Sequence, residues 1–141
     1  MNQIDAILKH FKEWHPNMGL QYLWDTCDGE MDSENYPEVI FEYDPDTAFF
    51  NALEILLKKG DCCLAYGDVT EDKALVGTVV KELPEKQLEM LKSVWVGKEE
   101  MDRMDRENDY LGWYFLVHCP YLLAYRKYDS QGNFIEWCPT T

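Results

Sequence analysis

Residues 44–66 read DPDTAFFNALEILLKKGDCCLAY, and this stretch decides the fold. Asp44 offers a side-chain oxygen to the free N–H groups that open a helix. Pro45 suits the first helical position, where it has no N–H to satisfy. Asp46 sets negative charge against the positive end of the helix dipole. Phe49, Phe50, Leu53, Leu56 and Leu57 then recur at helical spacing. Lys58 and Lys59 lie at the negative end, and Gly60 closes the segment. The spacing predicts a helix over 45–59. Its five large apolar side chains bring roughly 10 kcal/mol of gross burial, at about 2 kcal/mol each. Cys62 to Tyr66 is too short and apolar for another helix and is expected to be a strand.

Towards the N-terminus, Ile4, Ile7, Leu8, Phe11 and Trp14 form one stripe, which predicts an amphipathic helix over 3–14, ended by Pro16. A short helix is expected from Leu20 to Cys27, with Leu20, Leu23, Trp24 and Cys27 on one side and Gly29 stopping it. Asp28 to Asn35 reads as a turn. Glu38 to Tyr43 alternates and is expected to be a strand, with Glu38 and Glu42 on its exposed face.

Towards the C-terminus, Gly67 to Lys73 reads as a loop and Ala74 to Val80 as a strand. Pro84 opens a helix carrying Leu88, Leu91, Val94 and Trp95 on one face, ended by Gly97. Residues 98–109 mix six acids with three bases and predict a solvated helix. Its Glu99–Arg103 and Asp102–Arg106 pairs add about 0.3–0.5 kcal/mol each. Strands are expected over Trp113–Cys119, Tyr121–Tyr128 and Phe134–Trp137, with Asp129 to Asn133 as the turn between the last two. Helices first and antiparallel strands after give an α+β fold, with N-terminal and central helices on a small, mainly antiparallel sheet from the C-terminal half. A chain of 141 residues fits one domain, 1–141.

Charge is unevenly placed. From Glu13 to Leu57 there are 11 carboxylates and no Lys or Arg, so that −11 of the net −14 lies there. A balance this negative disfavours nucleic acid, whose phosphates need Lys and Arg, and anionic membrane surfaces. It favours a basic partner. Aromatics at 14% exclude a globally disordered chain. No basic and apolar leader opens the sequence, and no apolar run reaches the roughly 20 residues of a spanning helix. The expected location is the cytoplasm. Five cysteines without a C-x-x-C pattern (Cys27, Cys62, Cys63, Cys119, Cys138) read as reduced, half-buried small hydrophobes. Cys62 and Cys63 should point to opposite faces of their strand.

Motifs of catalysis are missing. A calcium loop starting at Asp28 would need Gly at Ser33 and Glu at Val39, and has neither. Weak divalent binding by clustered carboxylates stays open. His118 and Cys119 are adjacent on an expected strand and cannot activate each other. His10 and His15 have no evident third ligand, so all three histidines read as structural or surface groups. No catalytic residue, metal site or cofactor is expected. With Asp44 and Asp46 assigned to the helix start, the acids unexplained by folding are Asp28, Glu30, Asp32, Glu34, Glu38 and Glu42, around Tyr36. Aromatics among charges mark interface hot spots, and Tyr36, beside Pro37, is the expected surface anchor; Trp24 is expected in the core.

Phe49-Phe50, a helix to Leu56-Leu57-Lys58-Lys59-Gly60, and Cys62-Cys63-Leu64-Ala65 resemble the F-F-x-x-L-x-x-L-L-x-x-G-x-I-x-L-A run of a small bacterial family, the domain-of-unknown-function family five-nine-six. Leu111-Gly112-Trp113-Tyr114-Phe115, Cys119-Pro120, a Gly turn and Glu136-Trp137 are similar to that family's W-F-x-x-x-C-P … D-G-x-x-E-W pattern. The likeness runs from about Phe49 to Trp137. Tyr121-Leu122 stand where the family has Gly-Gly. The resemblance implies a short, acidic α+β protein of the kind encoded near large secreted toxins of contact-dependent inhibition. It carries over no catalytic residue.

The reading is a non-enzymatic, protein-binding protein, an immunity-type inhibitor of a basic toxin domain, contacting it through Asp28, Glu30, Asp32, Glu34, Tyr36, Glu38 and Glu42. Two alternatives stand beside it. One is a structural or regulatory homodimer using Trp113 to Tyr128. The other is a metal-dependent enzyme using carboxylates of residues 25–46, which a pocket converging on those acids would favour and a convex acidic surface would disfavour.

Overall fold

The structure is a computed structural model that describes residues 1–68 and 76–140. Most of the expected loop Gly67–Lys73, and the start of the expected strand Ala74–Val80, lie outside the described residues. Five α-helices are seen: α1 (Gln3–Trp14), α2 (Leu20–Asp25), α3 (Pro45–Lys59), α4 (Pro84–Val94) and α5 (Lys98–Asn108). Four strands, β1 (Cys62–Asp68), β2 (Val76–Val79), β3 (Tyr121–Tyr128) and β4 (Phe134–Thr140), form one antiparallel sheet in the order β2-β1-β3-β4. The fold is α+β. None of the described helices is long and apolar enough to cross a membrane.

Helix α3 is central, packed against α1, α2, α4 and β1. Asp44 accepts the Thr47 N–H at 2.8 Å, and Gly60 ends the helix with its N–H on the Leu57 carbonyl. Phe49, Leu53 and Leu57 are buried, joined by Ala48 and Ala52, which let neighbouring elements approach closely. Phe50 and Leu56 pack at the margin. Asp46 does more than meet the dipole. Its Oδ1 accepts the Trp95 indole N–H at 2.7 Å and so ties the start of α3 to the end of α4. Trp95 stacks on Phe49 at 4.7 Å between ring centres, with Trp24 and Phe50 edge-on.

Cys62 and Cys63 face opposite sides of the sheet, as alternation demands: Cys62 joins the main core with Leu64 and Leu123, and Cys63 a small cluster with Ala65 and Ala124. Burial pushes the Cys62 thiol up to about 12 and the Cys63 thiol to about 11. Both are protonated, inert hydrophobes at neutral pH. The side chain of buried Gln87 accepts the Leu64 N–H and donates to the Glu82 carbonyl, both at 2.8 Å, just where the β1–β2 ladder has ended.

Two expected strands are not strands. Residues 38–43 have no partner strand beyond a single bridge between Asn2 and Ile40. Instead, buried Gln3 on α1 accepts the N–H groups of Glu42 and Tyr43 at 2.8 Å and donates to the Tyr43 carbonyl. One side chain thus supplies the hydrogen bonds a ladder would have supplied. Residues 113–119 contain a wide, π-like turn over Tyr114–His118, whose Tyr114 hydroxyl donates to the Val94 carbonyl at 2.7 Å. Tyr114 and Phe115 pack against the Trp95 cluster, while Leu116 and Val117 of the same run are exposed. On α1, Trp14 is 69% exposed, and the buried stripe shifts to Gln3, Ala6, Ile7, His10 and Phe11.

Candidate functional site

Helix α1 carries His10 on its buried face and His15 just beyond its last turn. Helix α2 runs into a wide turn over Thr26–Glu30, where Gly29 adopts φ 107. That left-handed backbone is open to glycine at no steric cost. It ends the helix and delivers Glu30 to α1. Glu30 Oε1 lies 2.5 Å from His10 Nε2 and 2.6 Å from His15 Nε2. The Tyr36 hydroxyl meets His10 Nδ1 at 2.8 Å. The ring of Trp14 stacks on His10, and Tyr22 lies 5.3 Å from His15. Access is graded: the side chains of His10, His15 and Glu30 are 8%, 19% and 34% exposed. Burial alone would raise the Glu30 carboxyl, but the hydrogen bonds and charges of the two histidines outweigh it and leave it below its ordinary value.

Beside this triad opens a cleft of about 350 Å³ between α2, its following turn, α5 and the Leu111–Phe115 segment. Its floor is aromatic and apolar, with Trp24, Met101, Tyr114 and Phe115. Its rim holds Asp25, Asp28, Glu30, Asp102 and Asp105. One cation, Lys98, bridges Asp28 at 2.7 Å and Asp102 at 3.0 Å. Asp105 accepts the Trp113 N–H at 3.1 Å. Asp25 has no hydrogen bond or ion pair among the described residues. Burial, reinforced by Glu30 and Asp28, pushes its carboxyl up to about 6. Gly112 closes the cleft at φ 85, and a Cβ there would run into the Gln21 side chain.

The seven residues expected to make one contact patch have different partners in the fold. Glu30 turns inward to the histidines and Asp28 to Lys98. Asp32 accepts the Asn35 N–H within its own turn at 2.7 Å. Tyr36 is not a surface anchor: it is half-buried on the core with its hydroxyl on His10. Glu34 and Glu38 are exposed and free of ion pairs among the described residues. Glu42 lies by Gln3 and Glu54 in a separate depression. Folding brings in Asp25, which belonged only to the enzyme alternative, and Asp102 and Asp105, which sequence reasoning did not assign to a site. The view that His10 and His15 lack a third ligand is also corrected, since Glu30 supplies it from 15 residues beyond His15. The i and i+5 spacing of the histidines was legible; the partner depended on a turn at Gly29. In the segment considered for a homodimer, β3 lies between β1 and β4, so the free sheet edge there belongs to β4.

No family model matches the chain, and no curated protein matches it. Among solved structures, an uncharacterised protein conserved in bacteria, from Neisseria meningitidis, is similar. It superposes with a TM-score of 0.56 at 18% identity, over 95% of this chain and 86% of that one. That likeness establishes the fold alone.

Proposed function

We propose that the protein is a non-enzymatic, immunity-type inhibitor whose acidic cleft receives a Lys or Arg side chain of a basic toxin domain. The observation that carries this reading is Asp25, a half-buried carboxylate without a partner among the described residues, set among Asp28, Glu30 and Asp105 above an aromatic floor. An incoming cation would offset the burial and the repulsion that lift its pKa, and a long aliphatic stem would cover Trp24 and Phe115. The net charge of −14 would steer such a partner towards on-rates of order 10⁸ M⁻¹s⁻¹ at low salt. The toxin itself is drawn from the family resemblance, and with it a cytoplasmic place of action. The test is the on-rate for the basic toxin domain encoded beside the gene, at low salt and at about 0.5 M, where the Debye length shrinks to a few ångströms. A steep fall with salt, and faster dissociation of Asp25→Asn and Asp105→Asn but not Glu34→Gln, are expected. A salt-independent on-rate refutes the electrostatic reading.

The concavity of the site favours a second reading. The acids converge on a cleft, not on a convex face, which is the arrangement a carboxylate-based metal-dependent enzyme would need. Turnover that requires an added dication and is lost in Asp25→Asn would establish it.

A further inference from the structure

We infer that His10, His15 and Glu30 form a binding site for one transition-metal dication of the zinc type. Three donor atoms from two separate segments, two imidazole Nε2 from α1 and its cap and one carboxylate oxygen from the turn after α2, lie within 4.8 Å of one another. Two neutral imidazoles and a carboxylate are the donor set such dications prefer, whereas calcium and magnesium take oxygen ligands. A metal bonded at about 2.0–2.1 Å to each donor in tetrahedral geometry needs them about 3.3 Å apart. His10 and His15 Nε2 stand 2.5 and 2.6 Å from Glu30 Oε1, and all three donors lie within 4.8 Å, so an ion is taken up by withdrawing the carboxylate less than 1 Å and settling the two imidazoles to the same spacing, as side-chain rotations allow.

The surroundings fit a metal as well as the ligands do. Metal-bound histidines characteristically hand their other ring nitrogen to a hydrogen-bonding group that orients the ring. Tyr36 does this for His10 at Nδ1. In the metal-free protein His10 Nδ1 meets the Tyr36 hydroxyl and Nε2 meets Glu30. With metal bound, Nε2 gives its lone pair to the ion, and Nδ1–H donates to the Tyr36 oxygen. The same contact serves both states. The aromatic rings of Trp14, Tyr22 and Tyr36 wall the site, and the partly exposed His15 and Glu30 leave a way in for the ion and a position for water. The site stands whether the neighbouring cleft takes a protein side chain or a substrate.

The experiment is titration of the full chain, stripped with chelator, with Zn²⁺ by calorimetry and with Co²⁺ by visible absorption. One saturable equivalent is expected, with the intense d–d bands of a low-symmetry nitrogen–oxygen site and a rise in melting temperature. Tyr36→Phe should weaken binding about 10-fold. His15→Ala and Glu30→Gln should weaken it further, while Asp32→Asn with Glu34→Gln should leave it unchanged. Circular dichroism checks folding, and because His15 is partly exposed, His15→Ala remains informative if Glu30→Gln unfolds. Absence of saturable binding overturns the inference. So does binding that survives in His15→Ala, because the ion would then be held by surface carboxylates.

Discussion

Replacing Asp25 with Asn should change stability in a way that depends on pH. In the fold the Asp25 carboxyl is raised from an ordinary 3.8 to about 6, by burial first and then by Glu30, Asp28 and Asp105, with His15 opposing them. Below about pH 3.8 the group is protonated in both folded and unfolded chains and adds nothing. Between about 3.8 and 6 the unfolded chain ionises first, so stability falls as pH rises. Above about 6 the penalty is complete. At 1.36 kcal/mol per unit it would reach about 3 kcal/mol, and screening by water in the open cleft reduces this to about 1–2 kcal/mol. Asn has the same shape and no charge. Asp25→Asn should therefore be neutral at about pH 3 and stabilising by about 1–2 kcal/mol at about pH 8. Urea unfolding of both proteins with chelator present measures the difference, and subtraction removes the other titrating groups. A difference that is constant across this range, or that favours the native protein at high pH, would refute the placement of Asp25 in the cleft.

Two further outcomes test the framework around the site. Leu53→Ala, which truncates a fully buried side chain at the centre of α3, should cost about 2–5 kcal/mol, seen as a lowered urea midpoint. Gln3→Ala removes the partner of two N–H groups and one carbonyl in residues 42–43 and should cost about 1–3 kcal/mol. Faster amide exchange should then appear at Glu42 and Tyr43 first, and unchanged exchange there would show that Gln3 does not hold that segment.

Local patterns carried most of the fold. The cap at Asp44, the stripe of α3 and the Gly60 stop are all readable because each depends on residues within a few positions of one another. The same is true of the turn at Asp129 to Asn133, where Asp129 accepts from Asn133 and Gln131. The errors fall where a distant group replaces a local one. Residues 38–43 alternate like a strand, yet their hydrogen bonds go to Gln3. Residues 113–119 are apolar enough for a buried strand, yet they form a turn from which Tyr114 and Phe115 reach the Trp95 cluster. Trp14 continues the spacing of its stripe, but at the end of α1 it stands beyond the core and leaves burial to His10.

By itself, the sequence determined the α+β class, the central helix, the reduced cysteines and the strong negative charge, because composition and short-range periodicity are written in the chain. Only the tertiary structure decided which charges work together. Asp25, Asp28, Glu30, Asp102 and Asp105 meet because α5 packs beside the turn after α2, and Lys98 ties the two together. His10, His15 and Glu30 meet because one left-handed glycine turns the chain back on α1. No periodicity encodes such a meeting, since its energy comes from packing between segments far apart in sequence.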